Sequence, residues 1–420
     1  MEYVFLSNII RKYIKGKSPD NNVFLFSKND VEVSYLTPEY LRGIGSPIQV
    51  KNQKSFVWVE DGDIIILWDG SNAGEILKGK NGVLPSTMVK LLIFNDYYKE
   101  YVFYLLKFNE YKFKGKTQGS GIPHANKDEI ERVKIYKIDF NEQSKIAEIL
   151  MTIDDAIEKT ERIIAKYRHI KQGLLQDLLT KGIDENGNIR SEATHKFKDS
   201  PLGRIPVEWE VKKIGDICKV KGGKRLPKGE KFSEEKFGYP YIRVTDFRNN
   251  SVDIKNIEYI SQEVREVIKN YTISKEDVYI SIAGTIGLVG TIPDCLDGAN
   301  LTENAAKIMI NDKKQVDKNF LVNTILFHGK KQIESSIGIT SQPKLALFRI
   351  EQIFVVVPKI DEQRAIVDKF LKMNSLIDNE EDILVKLYSI KQGLMQDLLT
   401  GKVRVTHLLD KGGKSDECHP

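Results

Sequence analysis

Between Asn141 and Thr180 the apolar residues fall at Ile146, Leu150, Ile153 and Ile157, then Ile164 and Tyr167, then Ile170, Leu174 and Leu178. Steps of three and four place them on one stripe of an α-helix. Asn141 is the predicted N-cap, Glu142 suits the first turn, and Gly182 stands where a helix-ending glycine belongs. A second stripe follows the same plan, with Pro358 before it, Asp361 at the cap and Gly401 at the end. Forty residues of helix span ~60 Å, and a single narrow stripe of that length needs a matching partner. The other copy is the simplest partner, in an antiparallel pair. The alternative is that each helix packs on its own domain.

The rest of the chain reads as shorter runs. Strands are predicted at Val23–Phe26, Phe56–Glu60, Asp63–Trp68 and Met88–Phe94, and again at Tyr239–Thr245, Asp277–Ile282, Gly287–Ile292 and Ala305–Ile310. One helix follows each group, at Tyr97–Phe108 and Asp317–Phe327. The fold class is therefore α+β, with one mixed unit used twice and two long helices between. The implied segments are a first domain (1–140), a long helix (141–182), a connector (183–206), a second domain (207–360), a second long helix (361–401) and a C-terminal strand or tail (402–420). Asn186-Gly187 marks a tight turn in the connector, and Lys411–Pro420 is predicted to be unstructured.

The two helix ends are nearly identical: IKQGLLQDLLT at 170–180 and IKQGLMQDLLT at 390–400 match at ten of eleven positions. Keeping that offset, Glu142-Gln143 falls on Glu362-Gln363 and Pro123 on Pro343. With a small adjustment upstream, Asp63, Gly70 and Ser71 meet Asp277, Gly284 and Thr285. Like helices and unlike domains make an internal repeat. The tips carry apolar residues off the main stripe, which suggests a docking patch used twice: Leu174, Leu175, Leu178 and Leu179, with Leu394, Met395, Leu398 and Leu399. A wider core accounts for the same residues equally well.

Charge and motif content narrow the chemistry. Net charge is +5, which permits nucleic-acid binding without requiring it. Cys218, Cys295 and Cys418 have no CxxC spacing, arguing against a disulfide framework or zinc site and fitting a reducing cytoplasm. Met1-Glu2-Tyr3 has no basic leader, and no apolar run is long enough to span a membrane. Gly284–Gly290 has GxxGxxG spacing rather than GxGxxG, Gly222–Arg225 lacks the rest of a phosphate loop, and neither GxSxG nor HExxH occurs. The six histidines are scattered without ligand spacing. What remains are loops rich in cations and amides at corresponding places in the halves. The candidate DNA contacts are Lys114, Lys116, Gln118, His124 and Lys127 in the first half, and Lys224, Arg225, Arg243, Arg248, Thr285, Ser341, Gln342 and Lys344 in the second. Lysine and arginine suit phosphates, while arginine and amides can also pair with purine edges. Three readings compete: a DNA-specificity protein, a coiled-coil adaptor whose domains bind another ligand, and an enzyme with an unfamiliar site.

The paired Glu-Gln openings, the KQGLLQDLLT and KQGLMQDLLT ends, LGRIPVEWEVKKIGD at 202–216 and Gly284-Thr285-Ile286-Gly287 resemble the specificity subunit of type I restriction–modification systems. The resemblance covers essentially the whole chain. It implies two target-recognition domains, each reading one part of a bipartite site on double-stranded DNA, related by a pseudo-twofold matching the DNA dyad, with long antiparallel helices as the ruler between them. It also implies a non-catalytic chain that docks two modification subunits carrying S-adenosylmethionine and a restriction subunit using ATP and Mg. One departure stands out: the first half has no counterpart of Leu202–Trp209. Either the chain starts late, or Lys402–Leu409 completes the first domain circularly.

Overall fold

A computed structural model describes residues 2–19, 31–114, 123–234, 238–336 and 343–409. The predicted strand Val23–Phe26 and the tail Lys411–Pro420 lie outside the described residues. The chain forms two compact units: Met1–Ile163 with Glu380–Pro420, and Ile164–Asn379.

The first unit is built on strands β1 (Ile10–Lys15), β2 (Ile64–Leu67), β3 (Ile76–Lys78) and β4 (Met88–Ile93). They form an antiparallel sheet in the order β1-β4-β2-β3. β2 is buried on both faces, as its unbroken Ile-Ile-Ile-Leu run requires. Ile64 and Ile66 face the core that holds helix α1 (Lys99–Lys114), while Ile65 and Leu67 face a separate cluster with Leu36, Leu77 and Met88. α1 extends past the predicted Phe108, because Phe113 continues its apolar face into the same core. A second four-stranded sheet includes one parallel pairing, Tyr35 with Val83.

The long helix α2 runs from Phe140 to Thr180. Its cap is Asp139, whose carboxylate accepts from the Glu142 N–H (2.9 Å), so the helix starts before the predicted Asn141. The second unit repeats the sheet with β5 (Cys218–Gly222), β6 (Val278–Ser281), β7 (Val289–Thr291) and β8 (Ala305–Ile310) in the order β5-β8-β6-β7. Its second sheet has the matching parallel pairing of Tyr241-Ile242 with Asn300-Leu301. The helical segment after β8 reaches Ser336, well past the predicted Phe327, and includes a π-helical stretch at Ile325–Gly329. The last long helix, α3, runs from Ile360 to Leu399, so Asp361 sits inside the first turn rather than at the cap.

Each unit contains the start of one long helix and the end of the other. In the first, Ile146, Ala147 and Leu150 share a core with Leu394, Leu398 and Leu399. Asp154 pairs with Lys391, and Glu161 accepts from the Tyr388 hydroxyl (2.7 Å), which sets the two segments antiparallel. In the second, Leu174, Leu175, Leu178 and Leu179 pack with Ile366, Val367 and Phe370. Of the repeated tip residues, Leu178, Leu179, Leu398 and Leu399 are buried, and Leu174, Leu175, Leu394 and Met395 are half-buried against the same cores. For the four buried leucines the wider core, rather than a docking patch, accounts for their recurrence.

The Glu-Gln pair that opens each long helix is explained by the same junctions. Glu142 accepts from Arg404 Nε (2.7 Å) and Nη2, and from the Val405 N–H (3.2 Å). Glu362 accepts from Arg190 Nη1 and Nη2, from the Ile183 N–H (3.1 Å) and from Trp209 Nε1 (3.2 Å). The neighbouring glutamines tie down the domain helices: Gln143 accepts from the Tyr98 N–H and Gln363 from the Asp317 N–H. Gly182 and Gly401 take left-handed φ values of 65° and 73°, and a Cβ on either would strike the ring of Trp209 or Tyr136. Residues Lys402–Leu409 form no strand. They close the first unit by placing Val405 in its core and end in a 3-10 turn at Thr406–Leu408.

Candidate nucleic-acid interface

In the second unit, edge strand β5 ends at Gly222 and the chain is pressed against the loop before β8. The Gly223 N–H donates to the Ala305 carbonyl (2.9 Å) and the Lys224 N–H to that of Leu301 (2.8 Å). The Tyr241 hydroxyl donates to the Lys224 carbonyl (2.7 Å). A Cβ at residue 223 would collide with the carbonyl oxygens of Leu301 and Thr302, so only glycine permits the approach. Beside it lies a cleft of about 380 Å³ whose lining includes Lys224, Arg225, Glu303 and Lys344. Lys344 arrives on a bridge to Ala283, fixed by the Leu345 N–H on the Ile282 carbonyl. Neither lysine has an ion pair among the described residues, while Arg225 Nε lies 3.3 Å from Glu303 Oε1.

The first unit builds the same frame from different side chains. The Gly16 N–H donates to the Met88 carbonyl and the Lys17 N–H to that of Leu84, and a Cβ at residue 16 would meet the Leu84 and Pro85 carbonyls. Ser18 and Ser86, 2.7 Å apart, stand where the second unit has Arg225 and Glu303. His124 bridges to Asp69 where Lys344 bridges to Ala283. Asp69 meets both His124 Nδ1 (2.6 Å) and Lys15 Nζ (3.1 Å), so the Lys15 charge is offset here, whereas Lys224 and Lys344 of the second unit have no ion pair among the described residues. Tyr13 lies behind, edge-on to Trp68 at 5.9 Å and beneath the Lys127 ammonium. Burial, with Glu131 adding to it, pushes the Tyr13 phenol well above its ordinary range, so it stays neutral.

The predicted contacts thus separate. Lys224, Arg225 and Lys344 meet in one cleft. His124 and Lys127 lie close to Lys15 and Tyr13 in the other unit. Lys116, Gln118, Ser341 and Gln342 lie outside the described residues. Lys114 pairs with Glu110 (2.7 Å) at the end of α1. Thr285 is exposed on a tight loop whose carbonyl at 285 accepts from Ser281 Oγ (2.6 Å). Arg243 is a correction: its guanidinium is occupied by Asp246, Glu258 (2.7 Å) and the Asn256 carbonyl, which leaves it a structural cation. The Asp246 hydrogen bonds, more than the burial that opposes them, raise its pKa further. Arg248 sits on a hairpin turned by Asn249 and Asn250, joined to the β7 edge by the Thr291 N–H on the Asn250 carbonyl. Three residues were missed: Lys15, Lys17 and Glu303. The run Lys15-Gly16-Lys17 echoes Gly223-Lys224 and was the available signal for the first two.

The sequence model described as the type I restriction modification DNA specificity domain matches residues 1–166 and 206–388. The chain belongs to this family. It is 31% identical over 405 residues to the type I restriction enzyme MjaVIII specificity subunit of Methanocaldococcus jannaschii, covering 94% of this chain and 92% of that one. The MjaIX specificity subunit of the same organism is 25% identical over 356 residues, with 82% and 78% covered. The fold is similar to the crystal structure of a type I restriction–modification S subunit from M. genitalium, with a TM-score of 0.58, 17% identity, and 95% and 96% of the two chains covered. DNA recognition, rather than an adaptor role toward another ligand, is the function of this type I specificity subunit. No helix among the described residues is long and apolar enough to cross a membrane.

Proposed function

We propose that each unit reads one part of a two-part site on double-stranded DNA, and that the chain holds two modification subunits while performing no chemistry itself. Type I specificity subunits work in complexes with DNA and other restriction–modification subunits. In this reading S-adenosylmethionine belongs to the modification subunits, ATP and Mg belong to a restriction subunit, and the assembly works in the cytoplasm. The observation that carries the DNA half of the proposal is the shared glycine frame with unlike side chains: Ser18, Ser86 and His124 in one unit, Arg225, Glu303 and Lys344 in the other. A common scaffold with different donors and acceptors is what reading two different sequences requires.

The partner half rests on the helix tips. Once the buried leucines are set aside, Gln172, Gly173 and Gln176 recur as Gln392, Gly393 and Gln396, all exposed. Packing does not require that identity, and a Cβ at either glycine would meet nothing within 4 Å. A mid-helix glycine costs about 1 kcal/mol relative to alanine. Its presence in both tips supports close approach by the same partner twice. The test is co-expression with the modification subunits in a host lacking adenine methylation, followed by mapping of modified bases. A single two-part motif is expected; methylation at an uninterrupted motif, or by this chain alone, overturns the proposal. An insertion of four residues near Glu158 lengthens the helix by ~6 Å and should change the gap between the two parts while preserving both.

A further inference from the structure

The three cations of the second unit's cleft differ in what they can recognise. A lysine ammonium is a freely rotating point charge suited to phosphate, whereas a guanidinium is a planar fork that matches guanine O6 and N7. Lys224 and Lys344 are exposed, without ion pairs among the described residues. Arg225 is three-quarters exposed, yet its placement is constrained from two sides. The backbone before it is pinned at the Gly223 N–H, the Lys224 N–H and the Lys224 carbonyl. Its Nε faces Glu303, a carboxylate itself held by the Thr302 hydroxyl (3.0 Å). Neither Nη group donates a hydrogen bond among the described residues.

We propose that Arg225, oriented by Glu303, is a guanine-reading residue of the unit Ile164–Asn379, with Lys224 and Lys344 on flanking phosphates. This rests on the reading that each unit engages one part of a duplex site. The two other arginines among the predicted contacts do not compete for the role. Arg243 has its donors taken by Asp246, Glu258 and Asn256. Arg248 belongs to the β7 edge, three strand spacings or ~14 Å across the sheet from β5. In the first unit the equivalent place holds the Ser18–Ser86 hydroxyl pair, which has no fork and little reach. The two arms of the DNA site therefore differ at the base pair this position meets. An exposed ion pair such as Arg225–Glu303 contributes little to folding, so its value lies in aiming the guanidinium. Glu303 is the positioning residue.

The test uses the full chain with its modification subunits and maps methylated sites for the wild type and four variants. Arg225→Ala is expected to make one G·C pair degenerate in one arm, with discrimination falling roughly tenfold to a hundredfold and the other arm unchanged. Arg225→Lys keeps the charge but not the fork and should relax the same pair. Glu303→Gln should relax it less, and Lys344→Ala should lower methylation at all sites with the motif intact. An even loss for Arg225→Ala or Arg225→Lys with an unchanged motif would make Arg225 a phosphate contact and overturn the assignment. So would relaxation at an A·T pair, no change, or complete loss of methylation in both variants. A wild-type assembly that methylates no two-part motif would instead remove the reading beneath it.

Discussion

The two units present the same glycine-pressed corner to solvent, and their side chains there differ at nearly every position. Gly16 and Gly223 make the same backbone contacts, but His124 hydrogen-bonds with Asp69 while Lys344 faces Ala283. The long-helix junctions show the opposite: Glu142 with Arg404 and Glu362 with Arg190 keep their chemistry in both copies. Parts that close a core keep their chemistry in both copies, and the corners we propose meet DNA diverge. Backbone geometry can be kept while the donor and acceptor pattern is rewritten.

The junctions give the largest expected effect. Removing one member of a buried ion pair leaves the other uncompensated. Arg404→Ala should destabilise the first unit by roughly 2–3 kcal/mol, less than the ~3–5 of a fully enclosed pair because Arg404 is 41% exposed. Arg190→Ala should cost the second unit a similar amount, since Arg190 is more buried but Trp209 and Ile183 still donate to Glu362. Denaturant unfolding of the two variants checks this; a large effect in only one unit would break the equivalence.

Next comes the charge asymmetry between the two corners. Lys344→Ala should lower the salt dependence of DNA binding by about one phosphate contact, whereas Lys15→Ala should change the slope less because Asp69 already pairs with that ammonium. Binding titrations at several salt concentrations separate them, and equal slopes for the two variants would erase the distinction. At the helix tips, Gly173→Ala and Gly393→Ala should each raise thermal stability by up to ~1 kcal/mol while weakening assembly with the modification subunits. Variants that assemble normally would return those glycines to the status of surface residues.

The smallest effect is a pH dependence confined to the second unit. His328 Nε2 donates to the Leu179 carbonyl (2.8 Å), and burial lowers the imidazole pKa below its ordinary 6.5 despite that bond. The unfolded chain therefore takes up a proton first, so the stability contributed by neutral His328 is present above 6.5 and is lost as pH falls below it. The first unit has Phe108 at the corresponding place and should lack this dependence. Melting curves of wild type and His328→Phe at two pH values test it; parallel losses in both proteins would assign the effect elsewhere.

Much of the fold was legible. β2, β4, β6, β7 and β8 lie within the predicted runs, and both long helices end at the predicted glycines. The candidate site was legible only in part. Lys224, Arg225 and Lys344 are legible as residue types, but their convergence depends on a bridge between Ala283 and Lys344. The Gly-Lys pair at Gly16-Lys17 and Gly223-Lys224 is visible in the sequence, but only the matching hydrogen bonds of Gly16 and Gly223 show that the two occupy equivalent places.

Helical stripes, strand runs, capping glycines and the duplicated tips are local properties, written in the spacing of residues a few positions apart. They survive in any environment that lets the chain fold, and so they could be read without coordinates. Which arginines stay free, which leucines lie inside, and that Lys402–Leu409 completes the first unit through Arg404, opposite Glu142 across a separation of 262 residues, where the sequence left a late start equally open, could not. A guanidinium has the same letter whether a carboxylate has claimed it or left it for DNA, and that choice is made only when distant segments close on one another.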